Sequence, residues 1–244
     1  MKSTVIISFL IFIGLSNQKA IAQHQVGIIG GLNFADLNID PQGEGIEIVT
    51  RTGFSLGCIV NINFSPLLGL QFEPSYIQKG AEARISFVEE GFSVKAEETF
   101  KAAYVDLPIL LRITIQTDNV RPYLLAGIAP AFLIGDFKEV LNKITIDGID
   151  YTNQVPANMK EYEYKSNSFD LGANFGAGLS IPLMNFTIFL EGQYSLGLLD
   201  INDEEPDPDF GKAKIRNRGF QAKVGVSFPL NVDQSDGPVP SEAR

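Results

Sequence analysis

The chain has 244 residues, 45% of them hydrophobic, and a net charge of −10 at neutral pH. That length suits one large all-β domain or two small ones, and the acidity excludes nucleic acid as a partner, because phosphates need a basic face. A single cysteine, Cys58, excludes an intramolecular disulfide, and a single histidine, His24, leaves little for His-based chemistry.

The N-terminus reads as an export signal. Lys2 supplies positive charge, and an apolar run from Val5 to Leu15 follows, broken by Ser8 and Gly14. Ala20-Ile21-Ala22 is the small-x-small pattern of a cleavage site, which places the cut before Gln23. The run is shorter than the about 20 apolar residues of a spanning helix. No Cys follows it, so a lipid anchor is not expected. Residues 1–22 are therefore read as a signal peptide. Without Lys2 and Lys19, 17 basic residues face 29 acidic ones, a net −12. Such a surface reads as acidic and well solvated.

Beyond the signal, period-2 alternation replaces helical periodicity. Residues 25–35 form a weaker first strand, followed by a long polar link at about 36–50. Phe54, Leu56, Cys58, Val60, Ile62 and Phe64 then share one face, opposite Ser55, Gly57, Asn61 and Asn63. Cys58 reads as a small buried or lipid-facing hydrophobe. Ser65-Pro66-Leu67 turns the chain. Leu70, Phe72 and Tyr76 alternate with Gln71, Glu73 and Ser75, and a long link covers 79–97. Weaker strands at 100–115 and 121–134 are joined by a short turn from Gln116 to Asn119. A long link follows at 135–166. Phe169, Leu171, Ala173, Phe175, Ala177, Leu179 and Ile181 form the next apolar face. Met184-Asn185 turns into the clearest strand, Phe186 to Leu198, with Phe186, Ile188, Leu190, Tyr194, Leu196 and Leu198 on one side. The link at 200–214 carries Asp200, Asp203, Glu204, Glu205, Asp207 and Asp209. Phe220, Ala222, Val224, Val226 and Phe228 close the series. Residues 231–244 read as a disordered tail.

Eight strands with alternating short and long links predict a membrane barrel in one domain, 23–230. The predicted fold is all-β: an eight-stranded antiparallel up-and-down transmembrane β-barrel. Lipid outside is favoured by three features. The polar face is rich in Gly, Ser and Asn. It carries isolated charges of both signs: Glu73, Asp106, Arg112, Asp170, Glu191 and Lys223. Aromatic residues sit near strand ends, at Phe54, Phe64, Tyr76, Phe169, Phe186 and Phe228, as interfacial girdles require. Eight strands leave an interior that side chains fill, so a plugged barrel is expected, with paired interior charges. Pro74, Pro108 and Pro130 fall inside strands and each removes a ladder donor, so bulges are expected there.

Four stretches resemble the PorT-like outer-membrane β-barrel family. They are Phe72-Glu73-Pro74-Ser75-Tyr76 through Lys79-Gly80, then Tyr104-Val105-Asp106-Leu107-Pro108-Ile109-Leu110-Leu111-Arg112. Arg121-Pro122-Tyr123-Leu124-Leu125-Ala126-Gly127 and Asp170-Leu171-Gly172-Ala173-Asn174-Phe175-Gly176-Ala177-Gly178 complete the set. The resemblance spans most of residues 23–230, and its second and third stretches are the most specific. It includes the prolines. It implies a membrane barrel but no single activity; PorT itself is associated with export of secreted proteins across the outer membrane. The tail after the last strand departs from barrels that end on an aromatic residue, which leaves Phe228 as the candidate assembly signal.

No catalytic, cofactor-binding or metal site is expected. His24 lies two residues past the cleavage site, far from the long links, and reads as a solvated terminus. Glu73, Asp106, Asp170 and Glu191 could converge for carboxylate chemistry, but ion pairs with Arg112 and Lys223 are the plainer reading. The run at 200–209 could bind Ca²⁺ but lacks the ordered spacing of a calcium loop. Gly30-Gly31 and the glycines from 172 to 178 lack the context of phosphate loops and read as barrel glycines. The expected function is a structural or interaction role in the cell envelope, with possible participation in protein secretion; the alternative is a narrow channel or small-solute transporter. The expected partners are outer-membrane lipid and envelope or secretion proteins.

Overall fold

The computed structural model describes residues 24–89, 91–206 and 212–230. Residues 1–22, expected to be a signal peptide, the tail expected at 231–244, Asp207 and Asp209 lie outside the described residues. The strands are β1 (Gln25–Asp40), β2 (Ile46–Val49), β3 (Arg51–Asn63), β4 (Leu68–Phe72), β5 (Ser75–Glu89), β6 (Phe92–Asp106) and β7 (Ile109–Thr114). They continue as β8 (Arg121–Leu133), β9 (Phe137–Ile146), β10 (Ile149–Asp150), β11 (Glu161–Tyr164), β12 (Phe169–Pro182), β13 (Thr187–Gly197) and β14 (Lys214–Pro229). Among the described residues no helix is long and apolar enough to cross a membrane.

Antiparallel pairing closes a circuit: β1, β3, β4, β7, β8, β12, β13, β14 and back to β1. β5 continues β4 and also pairs with β3, while β6 runs into β7 and also pairs with β8. The circuit is thus an up-and-down ring of eight strands, two of them in two pieces. The expected strand positions hold, and closure leaves no open edge in the ring.

The prolines explain the two-piece strands. The breaks fall at Glu73-Pro74 and Leu107-Pro108, whereas Pro130 stays inside β8. Each proline lacks a donor but keeps its acceptor. Cys58 N donates to Pro74 O, Glu73 N to Pro108 O and Leu107 N to Pro130 O, at 3.0, 3.1 and 2.8 Å. The Pro108 and Pro130 carbonyls thus reach the residues just before Pro74 and Pro108, and the Pro74 carbonyl reaches β3. Two strand breaks stand where bulges were expected.

The short links gather at one end of the ring with His24 and Leu230, whose N–H donates to His24 O at 2.7 Å. This is the turn end. The opposite, loop end differs from expectation. Residues 79–97 are not a loop: β5 and β6 pair without interruption from Ser75↔Asp106 to Glu89↔Phe92. β9 adds to β6, β11 and β10 add to β9, and β2 adds to β5. The same sheet thus extends beyond the ring at the loop end.

The reason is a change of phase in the alternation. In the ring, Leu70, Phe72 and Tyr76 point outward and Gln71 and Glu73 inward. Past Tyr76, the inward positions Ile77, Ala81, Ala83 and Ile85 become apolar, and Gln78, Glu82 and Arg84 point out. β1 does the same: Ile28, Leu32 and Phe34 point out, then Ala35 and Leu37 are buried inside. Around its charged centre the ring is polar inside and apolar outside, and its extension is the reverse. Such a switch is expected where the outer solvent changes from lipid to water. Gly80 sits at this boundary with φ +123°, and a Cβ there would lie 2.1 Å from Phe100 O, so only glycine fits.

Aromatic side chains mark the edges of the outward apolar band. Phe34 faces Phe220, Phe54 faces Tyr76 and Phe132 faces Phe169 at the loop-end edge; Phe186 faces Phe228 at the turn-end edge, where Phe64 also lies. Cys58 is exposed on the outward face between them.

Candidate functional site: the ring interior

All six charges expected inside the ring are there and buried: Glu73, Asp106, Arg112, Asp170, Glu191 and Lys223. A seventh, Lys79, was assigned to a loop by sequence reasoning. The phase change hid it, although its spacing from Glu73 and Ile77 keeps it on the inward face.

The charges form two clusters. In the first, Lys223 Nζ lies between the carboxylates of Glu73 and Glu191, 3.2 Å from Glu191 Oε1. Gln71 Nε2 donates to Glu191 Oε2 at 2.8 Å, and Gln193 Nε2 donates to Glu73 Oε1 at 3.0 Å. Tyr123 Oη donates to Glu191 Oε2 at 3.0 Å. In the second cluster, Lys79 Nζ sits 3.6 Å from Asp106 and 3.5 Å from Asp170. Asn217 Nδ2 donates to Asp170 Oδ2 at 2.9 Å, and Lys79 lies over the Tyr104 ring.

Two pairings differ from expectation. Asp106 and Asp170 pair with Lys79 rather than with Arg112 or Lys223. Arg112 makes no ion pair among the described residues. Its Nη1 donates to Gln71 Oε1 at 2.8 Å, and its guanidinium lies 3.7 Å above the Tyr123 ring. Lys79 reaches the aspartates because the extra length of β5 carries it past the Pro74 break.

Three buried cations thus face four buried carboxylates. Each carboxylate is held by an ammonium, and all but Asp106 by amide or hydroxyl donors as well, which is what a charge needs in low dielectric. Apolar layers lie on both sides. Ile29, Ile59 and Phe189 pack inside toward the turn end. Leu37, Ile77, Tyr104, Phe137 and Ile201 pack inside toward the loop end. Gly178 makes room for Tyr123: a Cβ there would be 2.2 Å from the ring.

Residues 17–203 match the profile of the family described as outer membrane protein beta-barrel domain. This chain belongs to that family. The outer-membrane barrel has solved structures similar to it in fold. It is similar to OprG of Pseudomonas aeruginosa, with 12% identity, a TM-score of 0.44 and coverage of 86% of this chain and 96% of that one. It is similar to Neisserial surface protein A, with 14% identity, a TM-score of 0.40 and coverage of 85% and 97%. The outer membrane protease OmpT of Escherichia coli gives 10% identity, a TM-score of 0.37 and coverage of 89% and 100%. No curated protein matches the chain. The family membership, not these likenesses, places the barrel in the outer membrane.

The remaining sequence candidates lie outside the interior clusters. In the acidic 200–209 link, Asp200 Oδ1 accepts from Asn202 N and Ile215 N at 3.0 and 2.9 Å. Glu204 Oε1 accepts from Lys165 N at 2.7 Å, and Asp203 pairs with Lys165 Nζ at 3.3 Å. These carboxylates pin the link to the barrel and to the preceding loop.

One titration outside the spanning segments has a readable consequence. Glu98 of β6, Glu139 of β9 and Tyr164 of β11 face the same cavity. Burial first, then Glu139, pushes the Glu98 carboxyl up to about 8 from its ordinary 4.5. Glu204, Glu205 and Lys212 line the same space. Between these two values the folded protein holds a proton that the unfolded chain releases. Stability therefore falls as pH rises through that window. The expected result is a higher urea midpoint at pH 5 than at pH 8.5, with the difference reduced in Glu98→Gln. An unchanged difference would place the titrating group elsewhere.

Proposed function

We propose that the chain spans the outer membrane as a closed, plugged barrel and acts by contact with other envelope components. The carrying observation is the filled interior, where fixed ion pairs lie between two apolar layers. In this reading the interior carboxylates are structural and not catalytic. A steadily conducting path would have to break the Lys223 and Lys79 clusters, each of which is buried and mutually compensated.

What remains available for contact is the sheet extension at the loop end. Its β5–β6 hairpin carries exposed Phe87, Val88 and Phe92 near the tip, far beyond the apolar band. Apolar side chains held in water are characteristic of interaction sites. The PorT-like stretches support placing this contact in protein secretion, with an envelope or secretion protein as partner.

Planar-bilayer recording of the purified barrel tests the plug, and no steady single-channel conductance is expected. Steady conductance would overturn the plugged reading and establish a narrow channel. A mild-detergent pull-down from native outer membranes, with a tag placed after Leu230, tests the contact. A stoichiometric envelope partner is expected, lost in the variant Phe87→Ser, Val88→Ser, Phe92→Ser. Recovery of the barrel alone, or retention of the partner by that variant, would overturn the contact role of the hairpin.

A further inference from the structure

The sheet extension encloses a cavity of about 450 Å³ at the loop-end mouth, within the roughly 300–1,000 Å³ of small-molecule sites. It lies above the apolar layer that caps the charged interior, so it is separate from the ion-pair clusters. Its walls come from β1, β2, β5, β6, β9, β11 and β14, with Asn202, Glu204, Glu205, Lys212 and Ala213.

The lining has two chemical parts. Leu37, Ile48, Ile85, Phe100 and Ile215 form an apolar floor. Four carboxylates, Glu98, Glu139, Glu204 and Glu205, also line it, against one basic residue, Lys212. Glu204 is occupied by the Lys165 amide. Glu98 and Glu139 have no ion-pair partner within 4.0 Å among the described residues, in contrast to the carboxylates of the ring interior.

We propose that this cavity binds a small amphiphilic cation, an aryl- or alkyl-amine, with its apolar body on the Ile48–Phe100 floor and its ammonium at Glu98 and Glu139. Charge complementarity selects the ligand class. An anion would meet four carboxylates, and a neutral apolar molecule would cover the Glu98–Glu139 pair without bringing a counter-charge. A cation supplies the counter-charge that Glu98 and Glu139 lack among the described residues. The inference goes beyond the contact role and holds whether or not the ring conducts.

The test uses the full barrel in phosphatidylcholine nanodiscs, with empty nanodiscs as the blank. The probes are 1-naphthylmethylamine, 1-naphthylmethanol and 1-naphthylacetate, which share one ring system and differ in charge. Saturable binding of the amine is expected, at least tenfold tighter than either analogue. The pair Glu98→Gln and Glu139→Gln, isosteric and outside the ring, is expected to lower amine affinity to that of the alcohol. Ala213→Trp fills the cavity while leaving every carboxylate in the sequence and is expected to abolish amine binding. Both variants are checked for folding by the gel mobility of unheated samples. Equal binding of the three probes, binding no greater than the blank, or amine affinity unchanged by either folded variant would overturn the proposal.

Discussion

Replacing Lys223 with Met is expected to cost about 3–5 kcal/mol of folding stability, the usual effect of removing one partner of a buried ion pair. Lys223 is the only cation in contact with Glu73 and Glu191 among the described residues. Its loss leaves two carboxylates in the interior with amide and hydroxyl donors alone. One carboxylate would take up a proton, so the variant should regain stability as pH falls. The combined variant Lys223→Met, Glu73→Gln, Glu191→Gln keeps the shape and removes the charges. It is expected to recover most of the loss, because the penalty lies in the unpaired charge and not in the missing bridge. Urea titration followed by gel mobility of unheated samples measures both. A single variant within about 1 kcal/mol of the parent would mean that water reaches the cluster and screens it.

Leu190→Arg is expected to cost about 2–4 kcal/mol, the range for a cation facing lipid near the membrane midplane. Leu190 is 60% exposed on the outward face of β13, between the aromatic edges at Phe186 and Tyr194. Glu89→Arg, at the tip of the β5–β6 hairpin, is exposed as well, but beyond the band; it should change stability by no more than about 0.5 kcal/mol. The pair separates burial in lipid from exposure to water at two sites that are both on the protein surface. Equal effects at the two positions would contradict the change of outer solvent inferred from the phase of the alternation. A lumen-facing comparator such as Gln193 does not serve. Its side chain is 1% exposed and joins Glu73 to Glu191, so a larger residue there would disturb packing whichever way the strand faced.

Alternation with period 2 is local, so the eight ring strands and their inward charges were legible in the residues. Phe186 to Leu198 shows this best: six large side chains on one face admit one orientation. The sorting of short and long links was legible for the same reason, since turn residues act within a few positions. The extension was not. Between Tyr76 and Lys79 the apolar side changes from even to odd positions, and a reading that expects one face to stay greasy stops there. The strand itself does not stop, because the backbone ladder of β5 and β6 is indifferent to which solvent lies outside. A search for phase reversal, rather than for loss of alternation, would have found Lys79 and the rest of β5.

The sequence by itself determined an all-β chain with a polar and an apolar face to each strand, and the identity of six interior charges. Only the tertiary structure decided which charges meet. Lys79 takes both aspartates, Lys223 takes both glutamates, and Arg112 turns to Gln71 and the Tyr123 ring. Those choices depend on the relative heights of strands around the ring, which long-range pairing fixes. The Glu98–Glu139 pair has the same origin: β6 and β9 are neighbours only because the chain leaves the ring and returns to extend its sheet.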